Sequence, residues 1–132
     1  MRGRITSAIV AGLLVVAAAL FVAAPLAGAA TNVHVATLSG SAAFPAVNGK
    51  AKFGIDDGVR RLEAQIEDAN ALEGVRLNVR INGILAGSMT VNSLGAARLL
   101  VSGNGVPGVQ TGSKIAVRRA SNEALVASGT FG

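Results

Sequence analysis

His34 is the only imidazole in a chain that has no cysteine. Those two counts bound the chemistry the chain can do. A Ser-His-Asp site would have to be built on His34. A zinc or copper site needs three or four ligands, so one His without Cys would require several carboxylates beside it. Thiol catalysis, disulfides and thiolate metal centres are excluded outright. His34 lies close after an expected processing point, where chains fray. Its expected place is the outer face of an edge strand, with no catalytic or metal role.

The carboxylates number seven. Asp56-Asp57-Gly58 reads as a tight turn, because Asp and Gly tolerate sharp reversals. A calcium loop shared with another segment is the alternative. Glu67-Asp68 and Glu73 flank a loop and admit the same two readings. Six arginines, Arg60, Arg61, Arg76, Arg80, Arg118 and Arg119, could form a basic patch for acidic polysaccharide or anionic lipid headgroups. Glu63, Glu67 and Glu123 lie near them in sequence and favour a salt-bridged, solvated face instead. The stretch Gly103 to Gly112 is glycine-rich but lacks the spacing and following helix of a phosphate loop. Trp and Tyr are absent, which removes the commonest stacking platforms for sugars and bases. The expectation is therefore no catalytic residue, no metal ligand, no cofactor and no enzymatic activity.

The elements that carry these residues begin after an export segment. Arg2 and Arg4 make a positive start, Ile9 to Ala24 is an unbroken apolar run, and Pro25 breaks it. Ala27-Gly28-Ala29 then supplies small residues at a cleavage site. This is the three-part layout of a secretory signal peptide. Residues 1–29 are expected to be the signal, forming an N-terminal helix, with cleavage after Ala29 or one residue later. An uncleaved membrane anchor is the competing reading. Loss of Arg2 and Arg4 leaves ten basic residues against seven acidic ones, a net charge of +3. That is too little for a nucleic-acid footprint. Residues 30–132 have the size of a single domain.

That domain alternates polar with apolar residues along most of its length. Arg61, Glu63, Gln65 and Glu67 alternate with Leu62, Ala64 and Ile66. Arg76, Asn78 and Arg80 alternate with Val75, Leu77, Val79 and Ile81. Similar runs lead to Leu38-Ser39-Gly40 and cover Lys50 to Phe53, Leu85 to Val91, Ala97 to Val101, Lys114 to Arg118, and Ala124 to Phe131. Turn clusters separate them. This pattern predicts an all-β fold, an immunoglobulin-like antiparallel β-sandwich of about seven to eight strands. The strand ending at Glu67 is expected to pair with the one starting at Val75, setting Glu67 against Arg76 and Glu63 against Arg80. At Asn82-Gly83 a two-residue hairpin would leave Leu85, Gly87 and Met89 exposed as an apolar stripe. A three-residue loop, with Val79 opposite Leu85 and Val75 opposite Met89, is preferred because it sends them inward. Leu38-Ser39-Gly40 with Pro45, and Val101-Ser102-Gly103 with Pro107, echo each other; repeated turn chemistry explains this better than duplication.

Five segments together cover the mature chain: Leu38-Ser39-Gly40, Gly49 to Phe53, Arg60 to Glu63, Val79 to Gly83, and Ser128 to Phe131. They resemble small secreted bacterial β-sandwich domains. More distantly they resemble chordin-type (CHRD) domains, which open with a Leu-x-Gly strand and a Pro-containing loop. The His-rich central motif of that family is absent from Val75 to Ile81, so the resemblance implies fold and export and no site residue. The expected function is an exported, secreted or periplasmic module without catalysis. It would bind a protein or polysaccharide at the cell surface or outside the cell, through its outer face or through the loops Ala42 to Gly49 and Gly103 to Thr111. No nucleic acid is expected as a partner, and the membrane only through an uncleaved signal. The alternative is a structural subunit that self-associates through edge strands, which Lys50, Lys52, Arg118 and Arg119 would blunt if they lie at an edge. A small extracellular hydrolase ranks last.

Overall fold

The structure, a computed structural model, describes residues 30–132. The signal segment, its helix and its cleavage point lie outside the described residues. The described residues form eight strands: β1 (Thr31–Gly40), β2 (Asn48–Asp56), β3 (Val59–Glu67), β4 (Arg76–Ile81), β5 (Ile84–Thr90), β6 (Ala97–Ser102), β7 (Lys114–Arg119) and β8 (Leu125–Thr130). All pairings are antiparallel, and the order in the sheet is β5-β4-β7-β8-β1-β2-β3-β6. The sheet nearly closes on itself, because its two ends, β5 and β6, lie against each other. A Cβ on Gly87 of β5 would come within 2.9 Å of the Leu99 Cδ1 of β6. The missing side chain is what lets Leu99 reach across that seam.

The alternation sorts side chains as the period of two requires. On β1-β2-β3-β6 the inward rows are His34-Phe53-Leu62-Val101, Ala36-Ala51-Ala64-Leu99 and Leu38-Gly49-Ile66-Ala97. Leu77, Val79, Ile81, Ile115, Val117 and Val126 fill the core from the other half. Gly49 is tied to its place. A Cβ there would lie 2.0 Å from the Gln65 carbonyl oxygen. β1 and β8 share only two paired positions, Ser39 with Ser128 and Gly40 with Ala127, so β5-β4-β7-β8 joins β1-β2-β3-β6 at a narrow junction.

Several expectations change. The strand ending at Glu67 does not pair with the one after it; β3 lies between β2 and β6, and β4 between β5 and β7. The reason is the connection from Asp68 to Val75. Its Ala69 and Leu72 are buried in the core. Its backbone bonds to the β5–β6 connection, with the Ala69 N–H donating to the Gly95 carbonyl at 2.8 Å and the Gly74 N–H to the Val91 carbonyl at 2.8 Å. The segment crosses the end of the core instead of folding back as a hairpin.

The Asn82-Gly83 turn has two residues, with Ile81 opposite Ile84 and φ of 49° and 85° at Asn82 and Gly83. Those positive angles belong to the type I′ hairpin that Asn-Gly favours. The three-residue loop is therefore not formed. A bulge solves the register instead: Arg80 pairs with Leu85 but Val79 pairs with Gly87, leaving Ala86 as the extra residue. One inserted residue inverts the faces beyond it. Met89 then opposes Leu77 and is buried, while Ile84 and Leu85, before the bulge, stay exposed. Of the expected stripe only Leu85 stays exposed, and Ile84 joins it.

Lys50 and Lys52 lie on β2, and Arg118 and Arg119 on β7, which are both interior strands, so none of them blunts an edge. The echo between Leu38 and Val101 is not a structural repeat, since β1 pairs with β2 whereas β6 and β7 lie apart in the sheet.

Candidate functional site

His34 is not on the outer face of an edge strand. It pairs with Phe53, on the inward face of a strand that β2 flanks, and the two rings lie 6.5 Å apart. The His34 Nδ1 is 2.7 Å from the Gly132 carbonyl oxygen, and the Gly132 N–H donates to the Val35 carbonyl at 3.0 Å. The imidazole thus fastens the last described residue to β1, and its partner is a main-chain oxygen, not an Asp or Glu side chain. Among the described residues, no three of His, Asp and Glu gather closely enough to hold a metal ion.

Asp57 and Gly58 are the two turn residues of the β2–β3 hairpin, with φ of 52° and 78°. Asp56 faces Arg61 at 4.0 Å. Glu67, Asp68 and Glu73 sit at the other end of β3, so the two acidic groups are separated by the length of that strand. The two long loops are separated in the same way. β1 and β6 run antiparallel through β2 and β3, so the loop after Gly40 and the loop after Ser102 leave opposite ends of the sheet. They cannot close on one ligand.

The six arginines do not form one patch. Arg60 donates to the Val106 carbonyl at 3.0 Å, tying down the loop after β6. Arg80 donates to Glu123 through Nε at 3.0 Å, and Arg118 donates to the Glu123 carbonyl at 2.9 Å. Asn78 joins the same carboxylate at 3.2 Å and accepts from the Ser88 hydroxyl at 2.8 Å. These bonds, the Arg80 one foremost, hold the Glu123 carboxyl below its ordinary value. On the outer face of β4, β5 and β7 the polar side chains Asn78, Arg80 and Ser88 are therefore bonded within one network, beside the exposed Leu85.

The outer face of β1-β2-β3-β6 is built differently. One row runs Val35-Lys52-Glu63-Leu100, and the next runs Thr37-Lys50-Gln65-Arg98. Val35 and Leu100 end the first row with 47% and 50% of their surface exposed, yet Glu63 between them is only 1% exposed. Glu63 accepts from Arg98, its diagonal neighbour on β6, through Oε2. Its Oε1 is buried with no hydrogen-bond partner. A buried carboxylate carries a desolvation cost that one partner offsets only in part. Lys50 and Lys52 have no ion-pair partner among the described residues. Farther along β3, burial pushes the Glu67 carboxyl up from its ordinary value; the Gln65 amide opposes this and the Asp68 charge adds to it.

Arg98 escaped the reading of the sequence, although the run Ala97-Arg98-Leu99 already placed it outward. The missing information was the neighbour of β3, which is 35 residues away at the Arg98–Glu63 contact. No known family matches the chain, and no curated protein is similar to it.

Proposed function

We propose that the mature chain is an exported binding module without catalysis, whose two four-stranded halves work as an immunoglobulin-like β-sandwich. The narrow β1–β8 junction and the unpaired β5–β6 seam support the sandwich reading. The module engages a partner protein through the outer face of β1-β2-β3-β6. The row Val35-Lys52-Glu63-Leu100 carries this reading: two half-exposed apolar side chains bracket a lysine without an ionic partner and a carboxylate already withdrawn from water. Protein interfaces combine a desolvated centre with charges at the rim. Apolar bracketing without aromatic residues suits a protein surface better than a sugar ring. The free lysines ask for carboxylates on that partner.

Two other features fit the same reading. The Leu38-Ser39-Gly40 strand end followed by the Pro45 loop supports a distant kinship with chordin-type domains. The segment Arg2 to Ala29 supports export. Association through edge strands has less behind it, because β5 and β6 cover one another.

A photo-crosslinking side chain placed at Val35 or Leu100 in the exported protein tests the proposal. Adducts to a second protein are expected there, absent at Ala116 on the outer face of the other half, and lost on Lys52→Glu. Adducts only to another copy of the chain would establish the self-associating subunit instead. Equal adducts at Ala116 would remove the assignment of the face.

A further inference from the structure

Three Asn-Gly pairs occur in the chain, at Asn48-Gly49, Asn82-Gly83 and Asn104-Gly105. This dipeptide has a chemistry of its own. Without a side chain on the second residue, its backbone nitrogen can approach the Asn side-chain carbonyl carbon. The reaction needs a free Asn amide, a backbone N–H that is not held in a hydrogen bond, and room to turn.

The fold withholds those conditions from two of the pairs. Asn48 and Gly49 lie in β2 between two partner strands, and the Asn48 amide donates to Asp68 at 2.8 Å. Asn82 accepts the Lys114 N–H on its side-chain oxygen at 2.9 Å, and its own N–H donates to the Lys114 carbonyl at 2.9 Å. Both pairs are held by bonds that would have to break first.

Asn104 and Gly105 are the central residues of a turn closed by the Val106 N–H on the Gly103 carbonyl at 3.2 Å. Both are exposed. Among the described residues neither the Asn104 side chain nor the Gly105 N–H has a hydrogen-bond partner, and a Cβ on Gly105 would meet nothing within 4 Å.

We infer that Asn104-Gly105 is a self-modification site, at which the folded protein deamidates and isomerises. The deprotonated Gly105 nitrogen attacks the Asn104 Cγ. The bond from Cγ to the side-chain nitrogen breaks, and that nitrogen leaves as ammonia after taking up a proton. A five-membered imide remains. Water opens it at one carbonyl to aspartate or at the other to isoaspartate, so the only co-reactants are solvent water and hydroxide.

Either product puts a new negative charge on the loop that Arg60 holds through the Val106 carbonyl. Isoaspartate also lengthens the backbone beside Val106, which is buried under the same loop. The module would thus change charge and loop geometry with age, at the end of the sheet where β6 terminates.

The test is incubation of the native mature protein at mildly alkaline pH, followed by trypsin and mass spectrometry. Cleavage after Arg98 and Lys114 isolates Asn104 from Asn48 and Asn82. The expected result is steady loss of the amide form of peptide 99–114, with two acidic isomers replacing it at a rate that rises with pH. Asn48 and Asn82 should react only after unfolding in urea. Asn104→Gln should abolish the conversion. Gly105→Val should slow it without disturbing the fold, since the space beside Gly105 is open. Equal rates at the three pairs in the folded protein, or an intact Asn104 beside a reacting Asn82, would overturn the inference.

Discussion

Glu63 points outward from β3 and is nonetheless buried, and the residue that answers its charge is Arg98, one strand away on β6. The pair is lopsided: Glu63 is withdrawn from water, while the Arg98 side chain is 46% exposed. Removing the exposed partner therefore strands the buried one. Arg98→Ala is expected to cost about 2 kcal/mol, the penalty for a buried polar group left without its bond. Glu63→Gln should cost less, because the amide keeps an acceptor and loses the charge. Urea unfolding measures both as shifts in midpoint at constant slope. An unchanged midpoint for Arg98→Ala would mean that solvent already serves Glu63.

The Ala86 bulge absorbs one residue and so keeps Met89 on the inner face. Deletion of Ala86 would close the bulge while keeping Val79 opposite Gly87 and Leu77 opposite Met89, so Met89 stays inward and the Asn82-Gly83 turn is left alone. The expected loss is about 1 kcal/mol, because no core position is emptied. Met89→Ala, which does empty one, should cost about 3 kcal/mol. Denaturation midpoints distinguish the two. A deletion as costly as the substitution would show that closing the bulge drives Met89 out of the core.

Two glycines should rank differently although both sit in strands. At Gly49 a methyl group meets the Gln65 carbonyl between two paired strands, and at Gly87 it meets the end of the Leu99 side chain. Backbone held on both sides cannot yield, whereas a leucine can change rotamer. Gly49→Ala is expected to prevent folding or to cost more than about 3 kcal/mol, beyond the usual range for overpacking. Gly87→Ala should stay near about 1 kcal/mol, and Leu99→Ala should remove the coupling in a double-mutant cycle. Absence of coupling between positions 87 and 99 would place the β5–β6 seam further open than described.

Glu67 and Glu123 should oppose each other in the response to acid. The raised Glu67 value means that, just above the ordinary 4.5, the folded chain holds a proton that the unfolded chain has lost. Stability then falls as pH rises through that window. The lowered Glu123 value acts in reverse: its contribution is present above 4.5 and is lost as pH falls through the folded value. Glu67→Gln should flatten the first dependence and Glu123→Gln the second, read from unfolding midpoints between acid and neutral pH. Glu123→Gln leaving the acid limb unchanged would mean that the Arg80 contact is too solvated to matter.

The export proposal yields a mass. The exported protein should begin at Ala30 or one residue later by intact mass spectrometry. A chain that retains Arg2 and Arg4 would be an anchored protein.

Much of this molecule was legible in local pattern. Alternation marked where the strands run and which side chains face in, because strand periodicity is a property of a few consecutive residues. Asp57-Gly58 marked its turn and Asn82-Gly83 the place of another, because positive φ suits those residue types, although the preferred three-residue loop at Asn82-Gly83 gave way to a two-residue hairpin. Strand neighbours were not legible in the same way. Glu63 was matched with Arg80 on the assumption that consecutive strands pair, but the buried Leu72 segment carries the chain across the end of the core, and Glu63 meets Arg98 instead. The Ala86 bulge and the inward place of His34 belong to the same class. Each depends on how much apolar surface the whole sheet can hide, a quantity that no single segment contains. The sequence by itself determined the elements and most of their faces; the tertiary structure decided the remaining faces and who sits beside whom, because pairing energy is shared between segments far apart in the chain.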